Sequence, residues 1–239
     1  MNKKGINYIE LILSFTLFVG FVIILFIYLN PVKQPSISEV LLDSVQENLE
    51  SNASIILTEI PFKAETSSDC FKTTEFNDIL AGLASENIFI EDDFGNSVDF
   101  SFGDELKVEK GSSDIYHLFY STEASFSTDA PSCTNVEDIN SPDNPIISTP
   151  RSFDIFSKNR LGKLNENYYA DYSGLKKRFD IPELGDFAII INDENNNPMF
   201  QMTRNVPKGI NVQAREYPIS ILDEISKKRI RAFINIRVW

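Results

Sequence analysis

Lys3-Lys4-Gly5-Ile6-Asn7-Tyr8-Ile9-Glu10 leads into Leu11-Ile12-Leu13-Ser14-Phe15-Thr16-Leu17-Phe18-Val19-Gly20-Phe21-Val22-Ile23-Ile24-Leu25-Phe26-Ile27-Tyr28-Leu29, which Asn30-Pro31 ends. Residues 11–29 carry no charge. About 19 residues at ~1.5 Å rise approach the ~30 Å hydrocarbon thickness of a bilayer. Only a helix crosses lipid as a single segment with every backbone group paired, so residues 6–30 are predicted to form a transmembrane helix. Lys3 and Lys4 precede it. By the positive-inside tendency they stay cytoplasmic, which places residues 31–239 outside and makes the lipid bilayer the first partner. No small-x-small cleavage site follows the apolar run, so the span is expected to stay in the mature protein.

Glu10 requires its own account, because a carboxylate at the edge of an apolar span is costly unless it reaches headgroups or a partner charge. Lys3-Lys4-Gly5, a glutamate five residues after the glycine, and then an apolar helix together resemble the N-terminal signal of type IV prepilins and pseudopilins, in a layout similar to archaeal members. The resemblance covers about a tenth of the chain. It implies a leader over residues 1–5, cut by a prepilin peptidase between Gly5 and Ile6. It also implies that Glu10 becomes the assembly carboxylate, pairing with the amino terminus of a neighbouring pilin-like subunit. Ile6 stands where bacterial pilins usually carry phenylalanine and many archaeal ones glutamine, and Pro31 and Pro35 interrupt a helix that usually runs on into the head.

Net charge is −13, or −14 on residues 31–239 once Lys3, Lys4 and Glu10 are set aside. So acidic a domain repels phosphate backbones, so nucleic acid is not an expected partner. Cys70 and Cys133 are the only cysteines. Outside the cytoplasm a lone pair is expected to form a disulfide, pinning residues 127–145 to the first half of the sheet. Both lie in polar stretches, so both are expected near the surface.

Beyond the break at residues 31–35, Ser36-Ile37-Ser38-Glu39 reads as a capping box. Ile37, Val40, Leu41, Val45 and Leu49 follow at helical spacing, which predicts an amphipathic stalk helix of some 13 residues within 31–50, packed on the head. Asn52-Ala53-Ser54 is a sequon, so Asn52 is a candidate glycosylation site. Strands are expected at residues 55–62, 87–90, 98–102, 106–108, 115–120 and 153–156, with a short helix at 76–83. Residues 127–145 read as a long surface loop, with a lobe boundary near 127–150. Tyr168, Tyr172, Leu175 and Phe179 mark one face of a further helix. Residues 187–191 suit a strand buried on both faces, with a turn at 193–198 and a strand at 199–203. Ile210, Val212 and Ala214 share a face that 219–222 extends, and residues 229–238 alternate strictly as a half-buried strand. The fold class is therefore α+β. A transmembrane helix and a stalk helix precede a head, residues 51–239, built on an antiparallel sheet or sandwich with one further helix.

Catalytic patterns are lacking. There is no phosphate loop, dinucleotide fingerprint, nucleophile elbow or His-Glu-x-x-His zinc motif, and His117 is the only histidine. It falls on the side of Ile115 and Phe119, as a packed strand histidine. No catalytic residue and no cofactor is assigned. Asp193, Asn195 and Asn197 begin an EF-hand-like spacing that fails at Pro198 and Arg204. They and Glu91-Asp92-Asp93 with Gly95-Asn96 read as polar turns rather than metal sites. The expectation is a non-enzymatic pilin-like or pseudopilin subunit of a cell-surface filament or secretion complex. The alternative is a permanently membrane-anchored receptor or adhesin with an acidic, ligand-binding β-rich ectodomain.

Overall fold

The computed structural model describes residues 3–29, 37–140 and 145–239, and in the first helix the side chains of Tyr8 and of residues 10–26. Ser36 and the break at 31–35 lie outside the described residues. The chain divides into two units, Met1–Val40 and Leu41–Trp239.

The first unit holds helix α1 (Lys3–Leu29) and the start of α2 (Ile37–Ala53). Large apolar side chains on every side of α1 are exposed, Leu11 by 68%, Phe15 by 66%, Phe18 by 64% and Phe21 by 61%. The predicted transmembrane helix over 6–30 is overturned: among the described residues no helix is long and apolar enough to cross a membrane. Lys3, Lys4 and Glu10 lie inside α1, so its first two turns carry three charges and are not part of an apolar span. The single-pass location, with residues 31–239 outside, falls with it.

In the second unit the order is β1 (Ser54–Lys63), β2 (Cys70–Thr73), β3 (Ile88–Asp92), β4 (Ser97–Val98), β5 (Phe100–Phe102), β6 (Leu106–Glu109), β7 (Ile115–Tyr120), β8 (Val136–Asp138), β9 (Ile146–Ile147), β10 (Arg151–Ser157), α3 (Lys158–Ala170), α4 (Tyr172–Arg178), β11 (Phe187–Asp193), β12 (Pro198–Met202), β13 (Gln213–Leu222) and β14 (Arg229–Val238). A large sheet runs β12-β11-β14-β13-β10-β1-β7-β3-β4, with β9 paired to β1, and a smaller sheet runs β5-β6-β2-β8. The fold class is α+β, but the expected antiparallel sheet is mixed. β10 runs parallel to β13, and β2 parallel to β8.

The large sheet has two similar halves. In one, the hairpin β3–β4 lies beside β7, and β7 beside β1. In the other, the hairpin β11–β12 lies beside β14, and β14 beside β13. All these pairings are antiparallel, and β10 joins the halves, antiparallel to β1 and parallel to β13. The two hairpin turns share one hydrogen-bond pattern. The Asp92 carboxylate accepts from the backbone N–H groups of Phe94 and Asn96 and from Asn96 Nδ2. Asp193 accepts in the same way from Asn195, Asn197 and Asn197 Nδ2. Gly95 (φ 77°) and Asn196 (φ 62°) take the left-handed position that the turn requires.

Three apolar layers form. α2, α3 and α4 cover the inner face of β11, β13 and β14, where Val45, Leu49, Leu161, Tyr168 and Leu175 meet Ile189, Ile221, Ile234 and Ile236. The small sheet covers the other half through Phe62, Phe71, Phe76, Leu106, Tyr116 and Leu118. On the outer face Phe126 closes over Phe89 and Phe119, beside Leu57, Ile155 and Leu222.

Several local expectations change. α2 runs on to Ala53, longer than the stripe alone indicated. The expected single further helix is two, because Asp171 ends α3 and its carboxylate caps α4 by accepting from Gly174 N at 2.9 Å. Residues 76–83 form successive turns rather than a helix, tied by Leu80 N to Phe76 O at 2.9 Å and Leu83 N to Leu80 O at 3.0 Å. Ile210 and Val212 lie outside any strand, after Pro207 and the left-handed Gly209 (φ 84°). Asp99 splits the expected strand at 98–102 between two sheets.

Candidate functional site

Lys3, Lys4, Gly5 and Ile6 lie in the first turns of α1, so the expected cut falls within helical backbone. Glu10 follows with its side chain exposed. Farther along, Thr16 Oγ1 donates to Ile12 O at 2.8 Å, so the hydroxyl is satisfied inside the helix. The rest of the described surface of α1 is almost wholly apolar, with no polar face among the described residues.

α2 presents the opposite pattern. Leu42, Val45, Leu49 and Ala53 are buried, but Ile37 (78%) and Val40 (52%) of the expected stripe are exposed, as are Glu47 and Glu50. Ser44 Oγ donates to Phe179 O at 2.7 Å, and Arg215 Nη1 on β13 reaches Asp43 at 2.7 Å and Gln46 at 2.8 Å. These contacts tie the helix to the end of α4 and to the sheet. Asn52 sits exposed in the last turn of α2, where its Nδ2 donates to Asn48 O at 2.7 Å. The amide that a glycan would take is therefore held by the helix.

Cys70 and Cys133 form a disulfide with Cα atoms 5.9 Å apart. Cys70 is fully buried in β2 rather than near the surface, and the bridge pins its loop to the small sheet, not to the large one. β8 then continues beside β2, so the loop at 127–145 is partly structured.

A charged seam on the outer face went unread in the sequence. His117 Nδ1 lies 2.7 Å from Glu59 Oε1, and its Nε2 lies 3.7 Å from Asp93. Across the ladder from His117 stands Glu91, 4% exposed, which accepts from Arg229 Nη2 at 3.1 Å. Burial pushes the Glu91 carboxyl up, and the adjacent Arg229 charge and hydrogen bond pull against that. The Arg229 guanidinium also lies 4.9 Å over the Phe119 ring. His117 is thus a partner of carboxylates as well as a packed strand residue. The signal was Glu91, an acid closing an apolar run, but only strand register brings Glu59, His117 and Arg229 to it.

The tip between β13 and β14 is held beside this seam. Asp223 accepts from Ile225 N at 3.1 Å, Ser226 N at 3.3 Å and Lys158 Nζ at 2.6 Å. Burial opposes charge on Asp223, but the Lys158 bond and those two N–H groups hold its carboxyl below the usual range. Glu224, 2% exposed, accepts from Ser157 Oγ at the start of α3, and Lys227 Nζ donates to Ser97 Oγ at 3.1 Å. The seam clamps the hairpin to the opposite half of the sheet. No nucleophile lies within reach of His117 in the described contacts, and its ring nitrogens face the Glu59 and Asp93 carboxylates. Among the described residues no group of three or more His, Cys, Asp or Glu side chains could hold a metal ion. The two Asp turns spend their carboxylates on their own N–H groups. No family model, no curated protein and no solved structure matches this chain.

Proposed function

We propose that the chain is a type IV pilin-like or pseudopilin subunit, cut after Gly5 and assembled through its N-terminal helix into a filament or secretion complex. The observation that carries this reading is α1: a helix of 27 residues whose described apolar side chains are exposed on all sides. Water leaves such a surface uncovered only at a cost of ~25 cal/mol per Å², so it calls for cover on every side. Equivalent helices of other copies supply that cover in a bundle. Glu10 is the one acid on this helix, and in a bundle of low dielectric it needs a cation. The amino terminus freed at Ile6 on a neighbouring copy provides one. α2 supports the reading as well, since Leu42, Val45, Leu49 and Ala53 pack it onto the β-rich head. The Cys70–Cys133 bridge is of the kind that persists where thiols are not kept reduced.

Mass spectrometry of the mature amino terminus tests the proposal. A chain beginning at Ile6 is expected, together with loss of assembly in Glu10→Ala while the head stays folded. An end at Met1 or Asn2, or full assembly of Glu10→Ala, would overturn it.

A further inference from the structure

The two matching halves of the large sheet each set one residue in the same frame beside their hairpin turn. In the first half, His117 on β7 stands between Pro61 on β1 and Glu91 on β3, which directly precedes Asp92. In the second, Phe233 on β14 stands between Pro218 on β13 and Asn192 on β11, which directly precedes Asp193. The first place is filled. Glu59 and Asp93 meet His117, and Arg229 at the start of β14 pairs with Glu91. The second stays open. A cavity of about 480 Å³ lies there, lined by Glu194, Pro218, Ser220, Arg231 and Phe233, the last 40% exposed.

The polar side chains of this cavity are uncommitted. Glu194, Ser220 and Arg231 make no side-chain hydrogen bond or ion pair among the described residues. Next to Phe233, Arg237 Nε donates to Asn235 Oδ1 at 2.9 Å, and Asn235 Nδ2 donates to Glu216 Oε2 at 3.1 Å, which holds that part of the face in order. Glu194 and Glu216 balance Arg231 and Arg237, so the surround carries no net charge. An ionised Glu194 only accepts, Arg231 only donates, and Ser220 does both. Such a set selects neither a phosphate nor a polyanion nor a basic peptide. It suits an uncharged ligand whose hydroxyls donate and accept and whose apolar side can lie on an aromatic ring. A sugar has these properties. Its hydroxyls ring the edge, and its C–H groups form a weakly positive face that meets the negative face of Phe233.

We propose that this cavity binds a neutral oligosaccharide, stacked on Phe233 and hydrogen-bonded by Glu194, Ser220 and Arg231. Pro218, directly opposite Phe233, extends the apolar floor, and Asn235, fixed by Glu216 and Arg237, borders it. The volume of about 480 Å³ falls within the ~300–1,000 Å³ of small-ligand sites. This recognition role of the head goes beyond assembly through α1 and does not depend on a cut after Gly5.

The test uses the full chain, kept in solution by a detergent without a sugar headgroup. It is applied to an array of neutral oligosaccharides of hexoses and N-acetylhexosamines, set beside sulfated and sialylated glycans and extended peptides. Retention of neutral glycans is expected, and it should persist in high salt because no ion pair holds them. The best-retained glycan is then titrated into the parent and its variants. Phe233→Leu should weaken binding by about tenfold, whereas Phe233→Tyr, which keeps the ring, should bind like the parent. Arg231 is exposed and without a partner among the described residues, so Arg231→Met leaves the fold intact and should weaken binding by a similar factor. Failure to retain any neutral glycan, or retention confined to anionic glycans or peptides, would overturn the inference. So would equal affinity in the parent, Phe233→Leu and Arg231→Met.

Discussion

Asp92 shows how one carboxylate can organise a hairpin. It accepts from Phe94 N at 3.0 Å, Asn96 N at 2.9 Å and Asn96 Nδ2 at 3.1 Å, with Ser112 N at 3.4 Å from the next loop. Burial works against its charge, but the Asn96, Ser112 and Phe94 donors prevail and hold the carboxyl below its ordinary 3.8. A depressed folded pKa gives stability that is complete above the ordinary value and is lost as pH falls through the folded one. Asp92→Ala should therefore cost on the order of 1–3 kcal/mol at neutral pH, with the difference from the parent shrinking below about pH 4. Denaturant titrations at both pH values check this, and a gap that widened in acid would contradict it. Glu91 has the opposite sign. Burial raises its carboxyl above the ordinary 4.5, so its charge weakens the fold as pH rises through the raised value. Arg229→Met should cost on the order of 2–3 kcal/mol by stranding that charge. Adding Glu91→Gln should recover much of the loss, which a double-mutant cycle measures.

Among the elements, α2 depends on its buried stripe more than on its intrinsic helix propensity. Leu49 is fully buried against the sheet, so Leu49→Ala should destabilise the head by about 2–5 kcal/mol, whereas the exposed Glu50→Ala should stay within ~0.5 kcal/mol. Thermal unfolding of the two variants separates the stripe from the solvent face. The small sheet depends on its bridge in a comparable way. Cys70 and Cys133 are 63 residues apart, and removing the bridge frees a loop of that length in the unfolded chain, a loss of roughly 4 kcal/mol in the chain-entropy account. A Cys70→Ser, Cys133→Ser chain should melt lower, and hydrogen exchange should quicken first in β8, which among the described residues pairs with β2 alone. Unchanged exchange there would show that the β2–β8 ladder holds by itself.

At the scale of the whole molecule the large sheet is continuous, so its halves should not unfold independently. β14 lies between β11 and β13 and pairs with both along most of its length. A chain ending before Arg229 loses both ladders, the inner-face residues Ile234 and Ile236, and the Arg229 clamp on Glu91. It should lose the near-ultraviolet signal of the tyrosine cluster around Tyr168 and Tyr172 as well as cooperative unfolding. By contrast, the edge strands β12 and β4 should exchange their amides first in the intact chain, because each is paired on one side only.

By itself the sequence determined what local periodicity and turn chemistry can determine. The alternation at 229–238, the apolar run at 187–191 and the Asp-led turns at 92–96 and 193–197 are patterns of neighbours, and each became the element it suggested. The stripe of α2 became a helix, but Leu42 and Ala53 are buried while Ile37 and Val40 of the expected stripe are exposed. The disulfide was legible because the chain holds only two cysteines. Tertiary structure decided the rest, since it depends on partners far along the chain. Strand order made the sheets mixed through the parallel contacts β10–β13 and β2–β8, and pairing alone revealed the two matching halves. Asp171 divided one aromatic-faced helix into two because its carboxylate found Gly174 N, and Cys70 was buried because β2 is a central strand of its sheet. The Glu59–His117–Glu91–Arg229 seam draws on four separate strands, so no local pattern encodes it. The continuous apolar run of α1 was plain in the sequence, but it did not reveal what covers that surface, because hydrophobicity favours burial without naming the partner.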